Sequence, residues 1–305
     1  MARITTKIGG SYINTPKKIV DRAGEIQRIA SDSNEVIVVL SAMKGDPGDT
    51  DELLHYTADV NNGRRHDARN RLLKLRNRHI EVIRDLPVVS QKSLEIQANA
   101  LFRKLLVYSY YQHIFPDVQD FIAVHGEKLS SAYLTAVLNA KTDQAVLVPA
   151  EDVIVTDKAF GQAKVLREQT RRRLGLIEQP LQDGKIVITA GFTGRTRDGR
   201  TTVLGRNGSD ITAAELHLLL GGEMMIYAKE VGGVYTDDPH KNGEAKRISH
   251  LSLTELGLQN QHGDGILHPR VFEPLNLSRG VMQIGPLHNP HEGTTVHLSG
   301  RKEAL

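Results

Sequence analysis

The chain has 305 residues, 39% hydrophobic and 25% charged, enough for a full core in one large domain or two lobes. Its formal charge of +3 comes from 39 basic against 36 acidic residues, a margin too small to argue for nucleic acid but one that leaves small anionic ligands open. The absence of cysteine excludes a disulfide framework, a thiolate metal site and a cysteine nucleophile. Met1-Ala2-Arg3-Ile4-Thr5-Thr6-Lys7 lacks the apolar run of a signal peptide and no segment approaches membrane-spanning length, so a cytosolic protein without membrane or nucleic-acid partners is expected.

Short β-rich runs alternate with helical patterns, which predicts βαβ units around a mostly parallel sheet. The first strand, Arg3–Lys7, runs into Lys7-Ile8-Gly9-Gly10-Ser11, a strand-to-helix turn of the kind at which α/β proteins hold ligands. A lysine there can meet a phosphate; the competing reading is a structural turn, since the glycine spacing is not that of a Walker A loop. Thr15-Pro16 suits the start of a helix whose apolar face is Ile19, Ala23, Ile26 and Ala30. The second strand, Glu35–Leu40, ends at Ser41-Ala42-Met43-Lys44-Gly45. The polar loop Asp46–Asp51 then leads into a helix, which places the hydroxyls of Ser41 and Thr50 at a strand's carboxyl end.

Residues 51–140 depart from the alternation and predict a helical insertion. Leu72, Leu75, His79, Val82 and Leu86 share one helical face, and a second apolar pattern runs from Leu94 through Leu101 and Leu105 to Tyr108. The basic residues Arg64, Arg65, Arg69 and Arg71 are interleaved with acids and lack stacking aromatics, so they read as a solvated face. At the end of the insertion, His125-Gly126-Glu127 sets a carboxylate beside glycine where a helix starts.

Further strands are expected at Ala145–Val148, Lys185–Ala190, Met224–Ala228 and Val281–Ile284, with a late edge strand at Thr294–Leu298. Between them, Leu204-Gly205-Arg206-Asn207-Gly208-Ser209-Asp210 precedes an apolar helix. Its glycines let backbone approach a ligand, Arg206 offers a fork for a carboxylate or phosphate, and Ser209 or Asp210 can cap the helix. The bland alternative is a capped helix with a surface arginine. After the strand at Met224–Ala228, Lys229-Glu230-Val231-Gly232-Gly233-Val234-Tyr235-Thr236-Asp237-Asp238-Pro239 carries a glycine pair, a tyrosine and aspartates suited to a nucleotide pocket.

In this order, the segments resemble the aspartokinases of the amino acid kinase family over nearly the whole chain. Lys7-Ile8-Gly9-Gly10 is similar to the family's Lys-Phe-Gly-Gly, Ser41-Ala42-Met43 to its Ser-Ala-Met turn, and His125-Gly126-Glu127 to its Gly-Glu helix start. Leu204–Asp210 resembles its Leu-Gly-Arg-Gly-Gly-Ser-Asp loop, and Gly233-Val234-Tyr235-Thr236, Asp238-Pro239 and Leu267-His268-Pro269 its nucleotide-side signatures. The resemblance implies a three-layer αβα sandwich with a mainly parallel sheet. Residues 1–180 would form mainly an amino-acid lobe carrying the insertion, and residues 181–305 mainly a nucleotide lobe.

The resemblance further implies transfer of the γ-phosphoryl of ATP, with Mg²⁺, to the side-chain carboxylate of L-aspartate, in a cytoplasmic homodimer. Lys7 would bridge the phosphoryl oxygens and Asp210 would orient it, while Gly9, Gly10 and Ser11 donate backbone N–H groups. Arg206 would take the α-carboxylate and Glu127 the α-ammonium, with Ser41, Thr50, Phe192 and Ser209 completing the pocket. Lys229, Glu230, Gly233, Tyr235, Asp238 and His240 would line the nucleotide side. No all-protein metal cage is expected. The chain stops at Leu305, soon after the last strand of the catalytic unit, so the family's C-terminal ACT modules and their feedback control are expected to be absent. Departures cluster on the nucleotide side: Lys229-Glu230 replaces Thr-Asp, Gly265 stands where the family has a lysine, and His240 replaces an arginine. A kinase of another small carboxylate amino acid, or a ligand-binding homologue without catalysis, stands as the alternative.

Overall fold

The computed structural model describes residues 2–140, 143–230, 232–237, 239, 241–259 and 267–300. Side chains alternate across a strand, so a run that is apolar at every position must be covered on both faces. Residues 36–40 of the strand Glu35–Leu40 are such a run. Val36, Val38 and Leu40 join a core with Ile4, Ile8, Ile186 and Ile188, while Ile37 and Val39 join a second core with Val187, Met225, Met282 and Ile284.

In chain order the strands are β1 (Arg3–Ile8), β2 (Glu35–Leu40), β3 (Ala145–Leu147), β4 (Val155–Thr156), β5 (Ile186–Ala190), β6 (Thr193–Thr196), β7 (Thr201–Val203), β8 (Met224–Ala228), β9 (Val234–Tyr235), β10 (Arg247–Ile248), β11 (His250–Ser252), β12 (Arg279–Gly285) and β13 (Thr294–Ser299). Eight of them form one sheet in the order β11-β13-β12-β8-β1-β2-β5-β3. Its pairings are parallel except β12 with β13. Strands β4, β6 and β7 form a small second sheet, and β9 pairs with β10. Thr294–Ser299 is therefore not the edge strand expected from the sequence. It lies between β12 and β11, and β11 escaped the sequence reading because only Leu251 of its three residues is buried.

The helices Pro16–Ser31 and His125–Leu138 cover the first face through Ile19, Ile26, Tyr133 and Leu134. Thr15 Oγ1 accepts from Lys18 N at 3.2 Å, as the Thr-Pro start predicts. The helices Gly175–Gln182, Gly208–Leu219, Leu253–Gln259 and Phe272–Leu277 cover the other face. The mostly parallel sheet read from the alternation and the three-layer αβα sandwich that the resemblance implies are thus the observed architecture. Lys7 and Tyr227 sit opposite each other in the parallel β1–β8 pair, which sets these two side chains abreast near the carboxyl ends of the central strands.

The helical insertion is present as Asp49–Asn61, Arg65–Arg84, Gln91–Val107 and Pro116–Ala123, packed into the first core through Leu53, Leu72, Leu75 and Leu105. Its basic residues are not simply a solvated face. Arg64 and Arg71 both bond the buried Asp59, Arg71 also reaches Glu52 at 2.6 Å, and Arg69 lies over the Tyr110 ring at 4.3 Å. A buried carboxylate needs counter-charge, and these arginines supply it. Arg65 and Lys74 are exposed, as expected. No helix among the described residues is long and apolar enough to cross a membrane.

Candidate active site

Strand β1 delivers Lys7 to the ligand edge of the sheet, where its Nζ stands 2.8 Å from Asp210 Oδ1 and 4.9 Å from the Tyr227 ring centroid. Asp210 comes from the first turn of Gly208–Leu219. Lys229, two positions past Tyr227 and so returned to the same side, brings its own Nζ to 5.2 Å from that ring. Burial, and then the charge of Asp210 together with its hydrogen bond to the phenol, holds Tyr227 well above the usual tyrosine range. Burial, and then Lys7, pushes the Lys229 ammonium down, against the pull of Asp210. Two ammonium groups thus flank one buried ring beside one carboxylate, a charge arrangement suited to phosphoryl oxygens.

The turn after β1 is Gly9 followed by a short 3₁₀ segment, Gly10–Tyr12. A Cβ on Gly10 would collide with the Ala42 carbonyl, so the two strand-end turns meet backbone to backbone. Ser11 O accepts from Lys18 Nζ at 2.7 Å, and the same ammonium pairs with Glu230 at 2.6 Å. Glu230 is therefore the partner of Lys18, while Tyr12 donates its hydroxyl to Lys229 O at 2.7 Å. On the next hairpin, Gly233 has φ +134° and sits against Thr294, whose hydroxyl accepts from Val234 N at 2.8 Å. Tyr235 is half-buried on β9. Asp238, His240 and Gly265 lie outside the described residues.

Next to this charge cluster is a cavity of about 600 Å³ into which the structure brings Ser41, Thr50, Glu127, Phe192, Arg206 and Ser209 together. Glu127 is 4% exposed, and its carboxylate takes Thr50 Oγ1 at 3.3 Å. Burial pushes Glu127 up to about 8, further raised by Asp49 and opposed by backbone and Thr50 hydrogen bonds. Arg206 is exposed and has no hydrogen-bond or ion-pair partner among the described residues. The cavity thus holds an unpaired acid and an unpaired base.

The loop that presents Arg206 is shaped by its neighbours. Asn207 has φ +56° and stands where the family loop has glycine; asparagine is among the few residues that tolerate this left-handed region. Asn207 also occupies the N-cap position, without a side-chain cap bond. The expectation that Ser209 or Asp210 caps the helix therefore fails: both lie inside its first turn, and Asp210 is taken by Lys7. Phe192 also has a positive φ, +66°, with its N–H on Thr212 Oγ1 at 3.1 Å. A Cβ on Gly191 would collide with Ser209, so the β5 end and the helix start are in direct contact.

Two supporting residues had no sequence signal of their own. Asp120, 3% exposed, accepts from Gly161 N at 2.9 Å and Val203 N at 3.0 Å; burial pushes it up to about 6 against those bonds. Arg270 donates to Leu204 O at 2.6 Å and Ala163 O at 2.8 Å, bracing the base of the Arg206 loop.

A three-layer α/β domain whose ligand cavity and paired lysines lie at the carboxyl ends of its central strands defines the class. The sequence profile described as the amino acid kinase family matches residues 2–284, and the chain belongs to that family. It is 28% identical over 297 residues to the aspartokinase of Bacillus sp. (strain MGA3), covering 97% of this chain and 58% of that protein. Among solved structures it is similar to E. coli aspartokinase III in complex with lysine and aspartate, with TM-score 0.84 and 27% identity. It is also similar to the same enzyme with aspartate and ADP, with TM-score 0.83 and 26% identity. Each match covers 99% of this chain and 66% of the solved chain.

Proposed function

We propose that this chain phosphorylates the side-chain carboxylate of L-aspartate with ATP, giving an acyl phosphate. One observation carries the reading: a single cavity contains the buried Glu127 and Arg206, which have no cation and no anion partner respectively among the described residues, and it adjoins the Lys7–Asp210 pair. An amino acid supplies both missing charges, its α-ammonium for Glu127 and its α-carboxylate for the arginine fork. The complexes of E. coli aspartokinase III with aspartate and ADP support the same assignment.

A side-chain carboxylate is ionised at neutral pH, so the nucleophile needs no general base, and catalysis reduces to positioning and charge neutralisation. Lys7 meets the transferring phosphoryl group, held in place by Asp210 and Tyr227. The backbone N–H groups from Gly9 to Ser11 face the same oxygens, and Lys229 adds a second ammonium from the nucleotide side. Thr50 and Ser41 close the amino-acid pocket, with Phe192 and Ser209 forming its floor. Mg²⁺, which would arrive with the nucleotide, would neutralise phosphate charge when bound. In this reading residues 1–180 serve mainly the amino acid and residues 181–305 mainly the nucleotide. Aspartate-dependent formation of ADP by the purified chain tests the proposal; ADP release at the same rate without aspartate would refute it.

A further inference from the structure

Behind the amino-acid pocket lies a buried charge network that the reaction just described does not use. Asp49, the first residue of helix Asp49–Asn61, is 0% exposed yet carries a carboxylate. Its Oδ1 takes Arg78 Nη2, and its Oδ2 lies 3.4 Å from Nε2 of His79, itself 0% exposed. His79 Nδ1 in turn stands 2.9 Å from the Tyr133 hydroxyl, on the helix that carries Glu127. Arg78 also donates to Pro47 O at 3.2 Å, and a Cβ on Gly45 would collide with its guanidinium. One arginine from the insertion is therefore wrapped by the loop 45–49, and that loop, with Thr50 directly after it, lines the cavity.

Asp49 also packs directly against the Glu127 segment: a Cβ on Gly126 would stand 2.8 Å from the Ala42 Cβ and 3.0 Å from the Asp49 Cβ, leaving no room for a side chain between them. Two carboxylates thus occupy one dry corner. Asp49 has counter-charge, and burial, which opposes its ionisation, is overcome by His79 and Arg78, so that it is held below the usual aspartate range. Glu127 has Thr50 and backbone hydrogen bonds but no cation among the described residues. Like charges buried side by side cannot both ionise without compensation. The other charged groups lining the cavity beside this corner are Asp120, committed to two backbone N–H groups, Asp51, Lys44 and the outlying Arg206.

We propose that Arg78 and His79 of the helical insertion are positioning residues for the amino-acid site. Acting through Asp49, they fix the helix start that carries Thr50 and set the charge on Glu127, so that an ammonium ligand enters with release of a proton. The proposal rests on the assignment of Glu127 to the substrate ammonium. It gives the insertion a task in ligand binding that no motif of the sequence announces.

The test is the pH dependence of aspartate binding, followed calorimetrically in buffers of different ionisation enthalpy, for the parent chain and for Arg78→Met, Arg78→Lys and Asp49→Asn. In the parent, binding releases close to one proton at neutral pH and tightens as pH rises towards about 8. Arg78→Met removes part of the counter-charge of Asp49, leaving His79, and moves that midpoint up; Asp49→Asn removes the charge and moves it down, each by about half a unit or more. Arg78→Lys, which keeps the charge but not the fork, weakens binding with a smaller shift of the midpoint. Opposite shifts support the proposal, because a purely structural role weakens binding without moving the midpoint in either direction. Unmoved midpoints in folded variants overturn it while leaving the aspartate assignment intact. A parent chain that does not bind aspartate overturns both.

Discussion

The two ends of the site hold buried carboxylates in opposite conditions. At the phosphoryl end Asp210 is already paired with Lys7 at 2.8 Å, so its charge is used to aim a cation. At the amino-acid end of the proposed site Glu127 is equally buried but has hydrogen bonds from Thr50 and the backbone and no cation among the described residues, and burial pushes it up to about 8. In the proposed reaction the phosphoryl end is therefore pre-assembled, whereas the amino-acid end would be completed electrostatically by its ligand. The difference teaches that burial alone does not say what an acid does; the partner it has, or lacks, does.

Breaking the pre-assembled end gives the largest effect. Lys7→Ala removes the ammonium aimed at the phosphoryl group and lowers the rate of phosphoryl transfer by about 10²–10³, while calorimetry still detects aspartate binding. On the same end, Lys229→Ala weakens ATP binding by about 1–3 kcal/mol in equilibrium titration; unaltered ATP affinity would remove Lys229 from the phosphate site. Glu127→Gln sharpens the contrast. It weakens aspartate binding by about 1–3 kcal/mol and abolishes the rise in affinity with pH, since the neutral amide has no proton to release. The sign follows from the raised value: below about 8 the empty-site acid is neutral, so each step down in pH makes the ammonium compete harder against a proton. Arg206→Lys gives the smallest change, a roughly fivefold to tenfold higher aspartate requirement, because an ammonium cannot reproduce the bidentate fork.

The part of this architecture legible in the sequence is the part written in local runs. Met224–Ala228 is legible to the residue because a short apolar run is bounded by Gly221-Gly222-Glu223 before it and Lys229-Glu230 after it, and Lys7, Arg206 and Asp210 stand out because glycines lie beside them at strand and helix ends. The short strand β11, with two exposed polar residues of three, carries no such signal. Nor do the residues that brace the site. Arg78 meets Asp49 across 29 positions and Asp120 meets Val203 across 83, and only the folded backbone brings them together. Arg71 and Arg64 looked like surface charge for the same reason, since their partner Asp59 is buried by tertiary packing.

The most direct test of the account is hydroxylamine trapping of the acyl phosphate, with ATP and a panel of carboxylate amino acids, comparing rates at equal concentration. The account predicts hydroxamate with L-aspartate, at a rate well above glutamate and above analogues lacking either the α-amine or the α-carboxylate. No hydroxamate from any member of the panel, or equal rates with and without the α-amine, would contradict it.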